Sequence, residues 1–367
     1  MSLGDYSIGS RRGRHGGDGG RTLAGLMRHL IYVEAGRVEW QEAPDPVAPE
    51  PDGALLRPLA VARCDLDLPM AIAGFFPGPF AVGHETVADV VAVGDAVRDR
   101  KPGDRVLVPF QVSCGICAAC HDGRFGGCET YRARVGAAFG FGPAGGGFGG
   151  AVADLLAVPA ADHLLVPAPV DVSATVLATL PDNVADGYRA AVPPLQDRPG
   201  AEVLVVGGMV KSVTLYAVAA ALAAGSPRVR YVDSDERSLA AAAALGAEVT
   251  EHHGPWPRHF ERAPITVDGT GDPEGLASVL RSTEDYGYCT SVAIYFSKTT
   301  PMPLLEMYTR GLTFHVSRAD SRRLLPEVLA LVASGRLDPL AIPTTVVRWE
   351  EAPQAWLEPA TKLVVVR

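Results

Sequence analysis

Four cysteines crowd into one short segment and form the strongest chemical signal in the sequence. They follow the pattern Cys114-x-x-Cys117-x-x-Cys120-x7-Cys128, and Glu129 comes next. Four thiolates close a tetrahedral site around zinc and leave no position for a substrate, so the expected zinc would be structural. A ferredoxin-type iron–sulfur site has a shorter last gap, and its last cysteine precedes a proline. Zinc is therefore favoured over an iron–sulfur cluster and over cysteines that simply pack in a core.

A second group of possible metal ligands is dispersed along the chain and comprises Cys64, His84 and Asp182. A catalytic zinc needs three protein ligands of mixed type and one open position, which these residues could supply. Their spacing alone is weak support. An isolated cysteine is usually a core residue, an isolated histidine usually a satisfied polar group, and Asp182 could cap the helix that follows. Taken by themselves, these three residues leave both interpretations open.

A strand–turn–helix pattern in the second half is a candidate phosphate-binding unit. The strand sequence VLVVG at 203–207 continues as GMVKSVT at 208–214. A dinucleotide-binding loop uses glycines for the tight turn, for approach of the pyrophosphate and for helix packing, but Met209 and Thr214 stand where the later glycines are expected. The amides of a helix N-terminus still attract a pyrophosphate. The predicted cofactor contacts in this loop are Gly207, Gly208, Met209, Lys211, Ser212 and Val213.

An acidic residue ends the next predicted strand and indicates which dinucleotide would bind. Asp233 closes the run VRYVD, where a carboxylate accepts hydrogen bonds from the adenosine ribose of NAD and repels the extra phosphate of NADP. Arg237 could bind the ribose or tolerate NADP. The alternative is that Asp233 only caps the helix that begins near Ser234. The sequence therefore favours NAD over NADP.

The elements that must position these residues change character halfway along the chain. From Met27 to about residue 170, short β-type runs such as VADVVAVG and DRVLVP alternate with Gly, Pro and Asp turns. Strand and helix patterns then alternate from VLVVG, an Ala-rich helix at 213–224 and VRYVD through ITVDGT, GLASVLR, TSVAIYF, LLEMYTR and LTFHVS. This order predicts an α/β protein with a doubly wound parallel sheet. The final runs TTVVRW and LVVVR predict a return to the β domain.

Composition excludes several classes of protein. The 367 residues are 47% hydrophobic and 20% charged, as expected of a globular chain of two or three domains. A net charge of -9 is the wrong sign for a protein that binds nucleic acid. No run is long and apolar enough for a membrane span, and no signal peptide is evident, so we expect a cytoplasmic protein. The Gly- and Arg-rich residues 1–26 are predicted to be a flexible extension.

Five features occur in one characteristic order: C-x-x-D at Cys64, GHE at 83–85, the four-cysteine segment, an acidic residue before GYRA, and the nucleotide fold. In this order the sequence resembles the zinc-dependent medium-chain dehydrogenase/reductases of the alcohol dehydrogenase type. The resemblance implies a GroES-like catalytic domain at 27–183, with a zinc lobe at about 112–130. It further implies a Rossmann coenzyme domain at 184–317 and a return to the catalytic domain at 318–367.

The resemblance also implies roles for single residues. Cys64, His84 and Asp182 become ligands of a catalytic zinc, with Glu85 beside them as a supporting or exchanging carboxylate. Asp67 would accept a hydrogen bond from the far ring nitrogen of His84. Thr270 would flank the adenine. The family commonly forms homodimers or homotetramers, and the substrate would be a small-molecule alcohol or aldehyde, because the sequence shows no charged cluster assignable to a substrate carboxylate or phosphate.

Departures from the family pattern define the alternatives. Leu66 stands where a hydroxyl usually relays the alcohol proton, so water, Asp65 or a ribose hydroxyl would have to replace it. The predicted function is hydride transfer between an alcohol, aldehyde or ketone and NAD(H), with one catalytic and one structural zinc per chain. Leu66, Met209 and Thr214 motivate the alternative of a zinc-binding, catalytically impaired or regulatory protein with weakened dinucleotide binding.

Overall fold

The computed structural model describes residues 25–46 and 49–367. Most of the predicted N-terminal extension, residues 1–24, lies outside the described residues, whereas Leu26 already begins the first strand. The strands are β1 (Leu26–Glu34), β2 (Arg37–Pro44), β3 (Ala54–Arg63), β4 (Phe80–Ala81), β5 (Glu85–Val93), β6 (Arg105–Val108), β7 (Leu156–Val158), β8 (Val166–Pro167), β9 (Val203–Val206), β10 (Val229–Asp233), β11 (Glu248–Glu251), β12 (Ala263–Asp268), β13 (Thr283–Ser291), β14 (Thr313–Val316), β15 (Thr344–Arg348) and β16 (Lys362–Val366).

The helices are α1 (Asp67–Ala73), α2 (Ala118–His121), α3 (Ala161–Leu164), α4 (Ala174–Ala178), α5 (Ala185–Asp197), α6 (Ser212–Ala223), α7 (Glu236–Leu245), α8 (Pro273–Ser282), α9 (Leu304–Arg310), α10 (Ser321–Ala333) and α11 (Ala352–Ala355). A π-helical turn at Leu180–Val184 connects α4 to α5. None of the described helices has both the length and the apolar character needed to cross a membrane.

The first half of the chain builds an irregular β body. One sheet has the order β15-β16-β3-β5-β6-β8, with β7 also paired to β3, and a smaller sheet has the order β2-β1-β4. The pairs β16–β3, β3–β5 and β5–β6 are all antiparallel. Strands β15 and β16 join this sheet although the whole second half of the chain separates them from β3, as the final runs of the sequence predict.

The second half forms a six-stranded parallel sheet with the order β11-β10-β9-β12-β13-β14. Its central strand β9, with the sequence VLVV, is buried at all four positions, as expected when helices cover both faces. The predicted GroES-like and doubly wound Rossmann architecture is therefore confirmed. The strand predicted over TSVAIYF forms, but its extent is wrong: β13 ends at Ser291, the second residue of this run, and Val292 then donates its amide to the Asp268 carbonyl of β12.

Helices α5 and α6 pack closely and connect the two bodies of the protein. Gly187 of α5 faces Tyr216 and Ala217 of α6, and a Cβ at Gly187 would come within 2.6 Å of the Tyr216 Cβ. Such a distance is shorter than carbon atoms tolerate, so only glycine permits this approach. The contact fixes the start of α5, and with it the turn that carries Asp182, against the N-terminal half of α6.

Candidate active site

Three potential metal ligands from distant parts of the chain meet at the junction of the two bodies. Cys64 follows β3, His84 precedes β5, and Asp182 lies in the turn before α5. One ligand atom from each lies within 4.8 Å of the other two, and His84 Nε2 is 3.3 Å from Asp182 Oδ2. Cys64 and His84 are buried, whereas the Asp182 side chain is 15% exposed. A sulfur, a nitrogen and an oxygen ligand with one accessible side form the donor set of a catalytic zinc.

Asp67 lies behind His84, where the sequence places it, but the predicted hydrogen bond is not formed. His84 Nδ1 and Asp67 Oδ1 are 3.8 Å apart, beyond hydrogen-bonding distance, and neither atom has another partner. The other oxygen of Asp67 accepts a hydrogen bond from the Cys64 amide at 3.0 Å. That bond ties Asp67 to the Cys64 loop and holds it slightly away from the imidazole. Both unpartnered atoms are buried, so a small closure of the site would satisfy them.

The charges around His84 suit a divalent cation. Burial of the imidazole disfavours its protonated form, but the carboxylates of Asp67, Asp182 and Glu85 outweigh burial and raise the pKa of His84 to about 9. Burial also raises the pKa of the Cys64 thiol. A cluster that draws a proton onto a buried imidazole carries excess negative charge, which a zinc ion would neutralise. The residues present therefore fit zinc.

Glu85 is held by a partner from β16, the strand on the other side of β3. Both of its carboxylate oxygens contact Lys362 Nζ, at 2.6 and 2.8 Å, and both side chains are completely buried. The set of close ligand atoms formed by Cys64, His84 and Asp182 does not include Glu85. A role as an exchanging ligand would require this buried ion pair to break, which is costly. The geometry thus favours a supporting role.

The four-cysteine segment folds into a second compact cluster. The sulfurs of Cys114, Cys117, Cys120 and Cys128 all lie within 4.8 Å of one another. Donors surround them: the Glu129 amide is 3.3 Å from the Cys117 sulfur, and the Thr130 hydroxyl is 3.1 Å from the Cys114 sulfur. The Glu129 amide contributes most to lowering the pKa of Cys117, to about 6. Donors that favour the thiolates of Cys114 and Cys117, in a closed set of four sulfurs, fit a structural zinc.

The loop after β9 forms a tight turn in which backbone amides donate hydrogen bonds to other groups of the protein. Gly208 has a φ of 145°, which favours glycine, and the added Cβ would crowd Thr270. The Met209 amide donates to the Thr270 carbonyl and the Val210 amide to the Gly269 carbonyl, at 3.3 and 3.1 Å. The Met209 side chain is half-exposed and lies against Gly271. Thr214 is buried and bonds to the Val210 carbonyl, so it packs in the helix interface without blocking the turn.

The N-terminus of α6 already holds a carboxylate from the β body. Asp65, next to Cys64, accepts hydrogen bonds from the amides of Lys211 and Val213, at 3.0 and 3.2 Å, and from the Ser212 hydroxyl at 2.8 Å. These donors are the ones that the sequence assigns to a dinucleotide. Because a helix N-terminus stabilises any anion placed there, Asp65 stands where a pyrophosphate would bind. A pyrophosphate and Asp65 cannot use the same donors at once.

The Asp233 carboxylate likewise accepts hydrogen bonds from groups of the protein itself. It accepts hydrogen bonds from the Tyr231 hydroxyl at 2.7 Å, from the Ser234 amide at 2.7 Å, and from Lys211 Nζ at 3.1 Å. Lys211 also pairs with Asp235 at 3.4 Å. The predicted cofactor residue Lys211 therefore neutralises the carboxylate that the sequence assigns to the ribose.

The remaining predicted cofactor residues lie near the same edge of the parallel sheet. Thr270 donates its amide and hydroxyl to Asp268, and Arg237 is exposed on the first turn of α7. A cavity of about 200 Å³ opens beside Gly207, Gly208 and Asp233, with Trp256 on its far wall. Its place at the carboxyl ends of β9 and β10 fits an adenosine. The adenosine half of a dinucleotide thus has space, whereas the pyrophosphate must displace Asp65.

Aromatic side chains pack beside His84 in the candidate catalytic site. The rings of Phe110 and Phe141 lie 5.7 and 5.1 Å from the His84 ring, and Phe76 meets the edge of Phe141. Phe75 stacks on Phe296 across the two bodies at 5.2 Å. The sequence alone does not identify Phe110 or Phe141, because nothing in the local sequence shows which aromatic residues face a distant histidine.

Comparison with known proteins gives consistent matches. Residues 50–169 match the family model of the alcohol dehydrogenase GroES-like domain. Rv1895 of Mycobacterium tuberculosis, named as a probable zinc-binding alcohol dehydrogenase, is 31% identical over 341 residues, which cover 90% of this chain and 84% of the relative. The NADP-dependent isopropanol dehydrogenase of Thermoanaerobacter brockii is 29% identical, over 88% of this chain and 92% of the relative.

A solved structure agrees with these matches. The alcohol dehydrogenase TADH from Thermus sp. ATN1 superimposes with a TM-score of 0.84 and is 30% identical; the match covers 92% of this chain and 99% of that structure.

We predict that the two clusters bind zinc independently of each other. The wild-type protein should contain two zinc ions per chain. Asp182→Ala and Cys128→Ser should each reduce the content to about one, because each removes a ligand of one site only. Elemental analysis of dialysed protein measures this. Asp171→Ala, which changes an exposed aspartate that belongs to neither cluster, is the control. Two zinc ions in Asp182→Ala would refute the first assignment.

We also predict that Asp65 weakens dinucleotide binding. Asp65→Ala should tighten NADH binding about tenfold, because the change frees three donors and removes a negative charge that faces the pyrophosphate. Fluorescence titration of the zinc-loaded protein measures the affinity without turnover, with Asp171→Ala as the control for charge. Equal or weaker NADH binding by Asp65→Ala would show that the carboxylate does not compete with the dinucleotide.

Proposed function

Because the chain belongs to the zinc-dependent medium-chain dehydrogenase/reductase family, we propose that it transfers a hydride between an alcohol, or the corresponding aldehyde or ketone, and NAD(H). The observation that carries this proposal is the meeting of Cys64, His84 and Asp182 at one partly accessible point. A chain without metal-assisted chemistry would have no need to bring a thiol, an imidazole and a carboxylate together from three separate elements. The aromatic side chains beside His84 supply an apolar wall for the substrate carbon chain.

The residues of the site have separable roles in this reaction. Cys64, His84 and Asp182 would hold the zinc, and Asp67 would orient His84 from behind. A bound zinc polarises the oxygen of an alcohol or carbonyl compound. A bound nicotinamide dinucleotide accepts or supplies the hydride. Lys362 balances the charge of Glu85, so that the carboxylate beside His84 does not add a further unpaired negative charge.

The proton of the alcohol must leave the site by a route that does not include Leu66. Leu66 packs against the hydrophobic core of the β body and has no group that relays a proton. Asp65, which the sequence offers as a substitute, is fully engaged with the N-terminus of α6. Because a bound pyrophosphate would displace Asp65 from these donors, water, a ribose hydroxyl of the coenzyme and the released Asp65 carboxylate are the three candidates for the relay.

We assign NAD as the preferred coenzyme. Asp233 ends β10 and lines the cavity of about 200 Å³, where a carboxylate disfavours the additional phosphate of NADP. Lys211 offsets part of this negative charge, and at least one relative uses NADP by its name. The preference is accordingly expected to be moderate.

One observation favours a second candidate, a zinc-binding protein of the same fold with weak dinucleotide binding. Asp65 occupies the donors at the N-terminus of α6, and the Met209 and Val210 amides are bonded to the segment at 269–270. Few donors are left for a pyrophosphate unless this region rearranges. In such a protein, both clusters would bind zinc while NADH and NADPH would not bind.

An exposed apolar surface supports assembly into a homo-oligomer. Strand β14 forms one edge of the parallel sheet, and helix α9 beside it exposes Leu305 and Tyr308 to 75% and 85%. Single exposed apolar residues are normal, but several together next to an unpaired strand edge are typical of an interface. We propose a dimer or tetramer built on this surface. None of the six cysteines forms a disulfide, which suits the reducing cytoplasm.

The proposed activity is tested with zinc-loaded protein and a panel of alcohols and aldehydes. We expect turnover that follows NADH absorbance, with NAD(H) used more efficiently than NADP(H). Asp182→Ala should lower kcat/KM at least 100-fold, because it removes a ligand of the metal that polarises the substrate oxygen. Unchanged activity in this variant would refute the catalytic-zinc assignment. Zinc binding without binding of either dinucleotide would favour the second candidate.

The oligomer is tested by light scattering of the wild type and of a charged variant. Leu305→Glu/Tyr308→Glu should shift the protein to the mass of one chain, since two carboxylates would have to be buried in the interface. Val170→Glu, which changes an equally exposed valine on the β body, is the control. A monomeric wild type, or an oligomer in the double variant, would exclude this surface.

A further inference from the structure

A cleft of about 480 Å³ next to the candidate catalytic site contains an unusual number of arginines. Arg124 comes from the four-cysteine lobe, Arg189 from α5, and Arg318 and Arg323 from the segment around the start of α10. Two carboxylates, Asp122 and Asp320, line the same cleft. Four guanidinium groups against two carboxylates make the lining positive, although the chain as a whole carries a charge of -9.

The arginines of the cleft differ in how far their charge is already satisfied. Arg189 pairs with Asp186 at 2.5 Å, and Arg124 pairs with Asp122 at 2.6 Å. Among the described residues, Arg318 and Arg323 form no ion pair within 4.0 Å. Arg318 instead donates to the Val135 carbonyl at 2.6 Å, which positions its guanidinium without neutralising it.

The cleft is adjacent to the candidate metal ligands. The Arg318 guanidinium lies over the ring of Phe110, with its carbon 6.0 Å from the ring centre, and the centre of the His84 ring lies 5.7 Å from the same ring centre. Gln111, which follows Phe110, also lines the cleft and donates to the Ala319 carbonyl. Through Phe110, Arg318 is thus the arginine of the cleft that lies nearest in contact to a candidate metal ligand.

The positive charge of the cleft affects the pKa of His315, whose imidazole lines the cleft. Burial, and then the charges of Arg189 and Arg323, lower the pKa of His315. The Arg189 guanidinium lies 3.5 Å from His315 Nδ1. Burial disfavours a charge of either sign, but the positive charges of Arg189 and Arg323 favour an anion at this place.

We infer that the substrate carries an anionic group, a carboxylate or a phosphate, which Arg318 and Arg323 bind while its hydroxyl or carbonyl carbon lies at the Cys64–His84–Asp182 site. The substrate class is then hydroxy acids and oxo acids, or their phosphate counterparts, with the acidic group several bonds from the reacting carbon. The inference rests on the proposed oxidoreductase function, since it names the class of its substrate. The pyrophosphate of a dinucleotide is a less suitable occupant, because the cleft contains none of the residues of the loop at 207–213.

The test measures binding of two probes that differ only in charge. Zinc-loaded protein is titrated by calorimetry with hexanoate and with hexanamide. We expect hexanoate to bind at least tenfold more tightly, and Arg318→Gln/Arg323→Gln to abolish that preference while hexanamide binding stays unchanged. Arg318→Lys, which keeps the charge, should retain most of the preference. Arg57→Gln, at an exposed arginine of β3, should retain all of it.

Each other outcome contradicts the inference. Equal binding of the two probes by the wild type would show that the cleft does not select anions. A preference that persists in the double variant would place the carboxylate on the metal instead. A parallel loss of NADH affinity in the double variant would assign the arginines to the coenzyme. The binding test measures no turnover. A protein that prefers hexanoate but is inactive on all alcohols would therefore refute the proposed function and would not refute the anion site.

Discussion

The loop after β3 joins the two bodies of the protein, and the geometry of the candidate site depends on it. Cys64 faces the metal position, Asp65 bonds to the N-terminus of α6, and Asp67 returns to the Cys64 amide. Because these residues are nearly consecutive, any movement of α6 relative to the β sheet displaces the first metal ligand as well. The same short segment therefore links metal geometry to the helix where a dinucleotide would bind.

Much of the architecture follows from the sequence because the patterns are local. The buried runs VLVVG and VRYVD predict β9 and β10 closely, and the dense spacing of four cysteines predicts their cluster. The strand predicted over TSVAIYF extends too far because Val292 and Ala293 stay buried after β13 ends, and a buried apolar segment of this kind has the same composition as a strand. The domain limits drawn from the sequence stay predictions.

Long-range contacts account for what the sequence could not predict. Asp65 and the N-terminus of α6 are separated by 146 positions or more, and no local pattern indicates that they meet. The four arginines of the cleft come from three distant segments, so the sequence shows no charged cluster although the structure has one. The Glu85–Lys362 pair is likewise invisible in the sequence. Local patterns thus predict which elements form, while the charge of the site depends on how they pack.

The Glu85–Lys362 pair also constrains the order in which the protein can mature. The two residues are 277 positions apart, and Lys362 lies in β16, which pairs with β3 only after the entire parallel sheet has been synthesised. Until then the β body has a carboxylate beside His84 whose compensating charge is missing, and burying it alone would be strongly unfavourable. A nascent chain on the ribosome would therefore keep this region open and hydrated, which leaves the metal ligands accessible until β16 emerges and closes the sheet.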